Sequence, residues 1–124
     1  MPGIVKIGRT DRSPRQRAEE LSSSTGVPTP FEVAAYAEVK NPAEVERIAH
    51  DFWSDERVSN YREFFRVEPY RVWRFLSDPA WADTEWASND VQLAWALARA
   101  GDQAMEVIKQ ASEAIKRASE GSAQ

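Results

Sequence analysis

Apolar and polar positions along this chain change period several times, and each change marks an element. Ile4-Val5-Lys6-Ile7-Gly8 is short, β-branched and ended by glycine, which predicts a strand. Ser13-Pro14 opens a helix: Ser13 is the N-cap, Pro14 takes the first helical position, and Gln16 completes a capping box. That helix runs to about Ser23 on an apolar face of Ala18 and Leu21. Thr25-Gly26-Val27-Pro28-Thr29-Pro30 ends it. From Phe31 to Val39, Phe31, Val33, Ala35, Ala37 and Val39 alternate with Glu32, Ala34, Tyr36 and Glu38, the clearest strand signal in the chain. Asn41-Pro42 with Glu44 starts a second helix, on which Val45, Ile48, Ala49, Phe52 and Trp53 form one apolar face. Asp55 to Arg62 reads as a polar loop, Glu63 to Val67 as a short strand or a tight lead-in, and Glu68 to Leu76 as a helix with Val72, Trp73, Phe75 and Leu76 inward.

The pattern shifts at Ser77-Asp78-Pro79. A short acidic segment bearing tryptophan follows, and Ser88-Asn89-Asp90 then caps a long helical stretch. Leu93, Leu97, Ala100, Ala104, Val107, Ala111, Ala114 and Ala118 recur at alternating spacings of three and four, a narrow heptad-like seam. Gly101-Asp102 leaves open whether this is one helix or two, with Asp102 as a second N-cap. The elements predict an α+β fold: a small antiparallel sheet flanked by helices over residues 1–76, then a helical C-terminal extension over 77–124.

Composition narrows the function classes. The chain has 124 residues and no Cys, so disulfides, thiolate metal sites and a Cys nucleophile are excluded. No run approaches the roughly 20 apolar residues of a membrane span, and the start lacks a signal-peptide pattern. A soluble cytoplasmic protein is the expectation. Net charge is −4, but the excess is local. Residues 1–76 hold 12 basic and 12 acidic side chains, whereas 77–124 hold 4 and 8. Within the first part Lys6, Arg9, Arg12, Arg15 and Arg17 face only Asp11 along the chain. That patch suits phosphate as well as it suits a solvated helix start.

Few residues could carry chemistry. By the residues alone, Glu63 reads as a surface carboxylate pairing with Arg62 or Arg66, and Arg17 as an exposed cation pairing with Glu20 or Asp11. Arg15 reads as an exposed helix residue. His50, the only histidine, lies one turn after Glu46, and a lone helical histidine is more often structural or exposed than functional. Lys6 reads equally as a phosphate contact or an exposed strand residue, and Gly8 as a glycine that lets the strand end turn tightly. One histidine gives no Ser-His-Asp site, and no glycine loop of the P-loop kind is present.

Taken together, three stretches look like a known family. They are Lys6-Ile7-Gly8-Arg9-Thr10, then Arg17-Ala18-Glu19-Glu20-Leu21 leading to Thr25-Gly26-Val27-Pro28-Thr29-Pro30-Phe31-Glu32-Val33, and finally Asn60-Tyr61-Arg62-Glu63-Phe64-Phe65. In that order they resemble the GIY-YIG endonuclease superfamily, in its phage-type branch with Lys-Ile-Gly, over about residues 2–76. The resemblance implies divalent-metal-dependent phosphodiester hydrolysis on DNA. It gives Glu63 the role of metal carboxylate, with Mg²⁺ or Mn²⁺ as the ion, and Arg17 that of the phosphate-facing cation. His50 becomes a general base or a support for the metal site, and Lys6 an assisting cation. Arg9, Arg12, Arg15 and Arg17 become the nucleic-acid surface. The resemblance also implies a first strand ahead of residue 4 with a tyrosine for the attacking water, and none of Tyr36, Tyr61 or Tyr70 stands at that place. Three readings of this stay open: an internal Met taken as the start, an inactive short domain, or a sheet edge paired by a partner chain or the C-terminal segment. A non-catalytic module that binds DNA, or binds a protein or itself through the sheet edge or the C-terminal helix, is the alternative.

Overall fold

The computed structural model describes residues 3–24, 31–58 and 63–122. Asn60, Tyr61 and Arg62 of the third stretch, and Thr25–Pro30 of the second, lie outside the described residues. The chain divides into two compact units, Met1–Gln92 and Leu93–Gln124. The first is α+β. Its elements are β1 (Val5–Lys6), α1 (Pro14–Ser24), β2 (Ala35–Val39), α2 (Pro42–Phe52), a 3-10 turn at Ser54–Glu56, β3 (Phe64–Phe65), α3 (Pro69–Leu76) and β4 (Ala82–Ala87). Helix α4 (Asn89–Ser122) starts in this unit and makes up the second.

Two small antiparallel sheets form, β1 with β3 and β2 with β4. In the first, Val5 pairs with Phe65 and Lys6 with Phe64. The ladder is extended by the Ile7 amide, which donates to the Glu63 carbonyl at 3.0 Å. Alternation sends Val5 and Ile7 to one side and Lys6 to the other. The inner side joins the core: Ile7, Ala49, Trp53, Phe65, Val67 and Val72 are buried together, with Val5, Phe75 and Leu76 packed against them. Phe65 and Ala49 are completely buried. Alanine at 49 lets α2 lie close to the sheet, because a larger side chain would collide with the aromatic core.

The strand expected over Phe31–Val39 is shorter than its alternation, beginning at Ala35. Its partner is the segment after Ser77, which opens on a strand before any helix. Tyr36 pairs with Trp86 in register, their rings stacked at 5.4 Å and 20°. Asp83 and Glu85 have poor strand propensity, so the backbone ladder and this aromatic pair, worth about 0.2–1 kcal/mol, override it. A register shift between Glu38 and Val39 accommodates the extra residue on β4.

Local chemistry explains the helix ends. Ser13 Oγ accepts from the Gln16 amide at 3.1 Å, capping α1. Asn41 makes no side-chain cap on α2, contrary to its expected role. Glu44 instead pairs with Arg47 on the next turn. Phe52, expected inward, is 62% exposed; its ring packs edge-on to Trp53 and lies 5.8 Å from Phe75, covering the core from outside. Ser88 Oγ accepts from the Val91 amide and caps α4. That helix runs unbroken through Gly101 and Asp102 for 34 residues. One glycine costs about 1 kcal/mol, less than breaking the hydrogen-bond ladder and nucleating a second helix.

Truncation of Phe65 to alanine is expected to cost about 3–5 kcal/mol, read as a shift of the denaturant midpoint. A loss under about 1 kcal/mol would show that the core does not depend on this ring.

Candidate functional site

The β1–β3 ladder also builds the site. Lys6 leaves β1 on the side away from the core and forms an ion pair with Glu63, the residue just ahead of β3. The Lys6 side chain is 15% exposed and that of Glu63 45%. The Lys6 ammonium also lies 5.6 Å from the centre of the Phe64 ring, and Phe64 is itself 6.0 Å from Phe31. An ammonium held between a carboxylate and an aromatic face loses much of its rotational freedom.

From α2, His50 reaches the same strand. Its Nε2 lies 2.8 Å from the Ile7 carbonyl. A carbonyl can only accept, so Nε2 carries the proton and donates, and a neutral ring then has Nδ1 as its basic nitrogen. The ring packs at 5.1 Å on buried Phe65. Glu46, one turn earlier on α2, places Oε1 3.8 Å from the same Nε2 and Oε2 3.2 Å from the Arg9 Nε. Glu46 is not among the residues that the sequence singles out for chemistry. The i,i+4 spacing from His50 was the available signal.

These charges act on one carboxyl. The hydrogen bond from the Lys6 ammonium holds the Glu63 carboxyl below its ordinary value of 4.5. Partial burial opposes this, and the charges of Lys6 and Arg17, with that of His50 when it is protonated, add to the lowering. Glu63 is therefore ionised throughout the neutral range.

The structure brings Lys6, Glu63 and His50 together, and Arg17 acts on Glu63 through its charge. It also supplies partners for the basic stretch that sequence order hides. Arg9 meets Glu46, while Arg12 and Arg17 both meet Glu20, the latter at 3.6 Å. Arg15 is exposed and forms no ion pair among the described residues. Glu63 stands without two further His, Asp or Glu side chains in metal-binding reach, among the described residues. Gly8 follows β1 in irregular backbone, and the one glycine with positive φ among the described residues is Gly3. A Cβ on Gly8 would sit 3.9 Å from the Lys6 Nζ.

Residues 1–78 match the T5orf172 domain, and the chain belongs to that family, which is related to phage nuclease-type domains. The match stops just short of β4. No curated protein and no solved structure matches the chain. Among the described residues, no helix is long and apolar enough to cross a membrane.

Two outcomes follow. The lowered pKa of Glu63 means that its ion pair stabilises the fold above the unfolded carboxyl's pKa and loses that contribution as pH falls through the folded value. Glu63→Gln, which keeps an acceptor for Lys6, should therefore cost about 1 kcal/mol at neutral pH for this pair with its half-exposed carboxylate, with the gap closing below pH 4.5. A gap that widened on acidification would contradict the pairing. Gly8→Ala meets only ordinary contact, so its melting temperature should be unchanged or slightly raised. A marked fall would show that the backbone there needs glycine.

Proposed function

We propose that this chain is a DNA-acting endonuclease domain of the GIY-YIG type, in its phage-type branch, hydrolysing phosphodiester bonds with a divalent metal. The convergence of Lys6, His50 and Glu63 on the β1–β3 ladder, with Glu63 held ionised, supports this reading most. Glu63 is the residue that would hold Mg²⁺ or Mn²⁺. Such ions are commonly bound by one or two carboxylates together with water and substrate phosphate, so the lone carboxylate fits. The ion, when bound, polarises the phosphate.

The protein's own groups divide the remaining work. Lys6 lies beside Glu63, and its ammonium would neutralise an oxygen of a phosphate placed next to that pair. Arg17 sits at the start of α1, half exposed, and its guanidinium fork binds phosphoryl oxygens when it releases Glu20. His50 is anchored through Nε2–H on the Ile7 carbonyl, which leaves Nδ1 to accept a proton. Arg9, Arg12 and Arg15 supply the backbone-tracking surface. Two of these must exchange a carboxylate partner for phosphate, which lowers affinity.

A second reading is a non-catalytic module that binds DNA or a protein on the same scaffold. It is favoured by the Lys6 ammonium occupying Glu63 directly.

Nicking of supercoiled plasmid in Mg²⁺ or Mn²⁺ separates the two. Glu63→Ala should lower the rate at least 100-fold and Arg17→Ala by about 10²–10³, as for loss of one transition-state contact. DNA affinity should fall with salt and be nearly unchanged in Glu63→Ala. Equal nicking by wild type and Glu63→Ala would remove Glu63 from the mechanism. Absence of nicking with intact salt-dependent binding would establish the second reading.

A further inference from the structure

Helix α4 carries a surface that the site does not use. From Arg99 to Gly121 every side chain is exposed. Six large apolar residues of the helix, Leu93, Leu97, Met105, Val107, Ile108 and Ile115, are each more than half exposed. Their placement is ordered. With Leu97 at heptad position d, the eight charged residues between Arg99 and Glu120 all fall at b, c and f. No charge falls at a, d, e or g from Leu97 to Gly121. More than half of the helix surface is therefore charge-free along that whole length. A solvated helix has no physical reason to keep its charges to one side.

The volumes on the charge-free side specify what covers it. Position d is alanine three times running, at Ala104, Ala111 and Ala118, whereas position a holds Ile108 and Ile115 after Gly101. A parallel pair stacks a on a and d on d, which sets isoleucine against isoleucine and leaves voids at the alanine layers. An antiparallel pair sets a against d. Ile108 then faces Ala111 of a second copy, Ile115 faces Ala104, and Gly101 faces Ala118. Large sits against small in two of the three layers, and symmetry repeats each layer. Small residues at d and g let the two backbones approach closely.

We propose that α4 pairs with α4 of a second copy of this chain as an antiparallel two-helix coil in this register. The contact is large enough to hold. About 37 Å of helix, with half the circumference of a cylinder about 10 Å across, offers roughly 600 Å² per copy. The total reaches the lower bound of about 1,200 Å² for specific interfaces. The flanking e and g positions carry no charge, so antiparallel pairing meets no like-charge penalty. A membrane surface is a poorer occupant. The charges from Arg99 to Glu120 are four basic and four acidic, without the basic excess of helices that lie on anionic lipid.

Sedimentation equilibrium of the full chain should give twice the 14.0 kDa chain mass. Ala111→Arg should return it to the single-chain mass with an unchanged far-ultraviolet spectrum. The chain has no Cys, so introduced thiols report the geometry even if one variant folds poorly. Ala104→Cys mixed with Ile115→Cys should give the mixed disulfide under mild oxidation. Ala104→Cys alone should give none, because its two thiols would lie about 16 Å apart along the coil, beyond the roughly 7 Å limit for bridging. A wild type monomeric at all concentrations overturns the pairing. So does a dimer that survives Ala111→Arg. A ready Ala104→Cys homodisulfide overturns the antiparallel register.

Discussion

Two residues on each of two strands carry opposite duties on their two faces. The ladder between Val5–Lys6 and Phe64–Phe65 turns Val5, Ile7 and Phe65 into the core, and holds Lys6 against Glu63 on the outside. Such a short ladder could not stand alone in water. The burial of Phe65 among Ala49, Trp53, Val67 and Val72 stabilises it, so the geometry of the charged pair depends on an apolar contact two residues along from Glu63.

The same dependence extends to His50. Its ring rests on Phe65, and its Nε2 hydrogen is committed to a strand carbonyl. The core therefore orients the imidazole, and the pleat orients the ammonium and carboxylate. Function and stability share these few residues. A substitution that loosens the aromatic core also loosens the site, whereas Gly8 and Arg15 lie outside that coupling. The tethering of Glu63 by Lys6 has its own consequence: the carboxylate is charged and positioned before any ligand arrives, at the cost of one oxygen already engaged.

Helix α4 follows a different rule. Its length and its hydrogen-bond ladder carry it past Gly101 and Asp102, where local preference alone allowed a break. Asp102 caps a helix only if it leaves helical geometry itself, and in a long cooperative helix that exchange is unfavourable. Its sorted charges are a property of sequence spacing, and their consequence lies in assembly.

Much of the fold was legible because it rests on local chemistry. Proline at the first turn placed α1 and α2, serine caps placed α1 and α4, and helical spacing marked Val45, Ala49 and Trp53 as inward. The family resemblance rested on Lys6-Ile7-Gly8, Arg17 and Glu63, and the match to the T5orf172 domain over residues 1–78 supports its coarser part. What spacing cannot convey is pairing between distant segments. The strand Ala82–Ala87 was illegible because its acidic residues argue against β structure, and only the open edge of β2 overrides them. The pairing of Arg9 with Glu46 and of Arg12 with Glu20 was equally hidden, since it depends on how α1 and α2 lie in three dimensions. Sequence alone determined the residue types available at the Lys6-Ile7-Gly8 strand. Tertiary structure decided which of them meet, because a carboxylate and an ammonium 57 positions apart come together only when a buried phenylalanine draws their two strands into register.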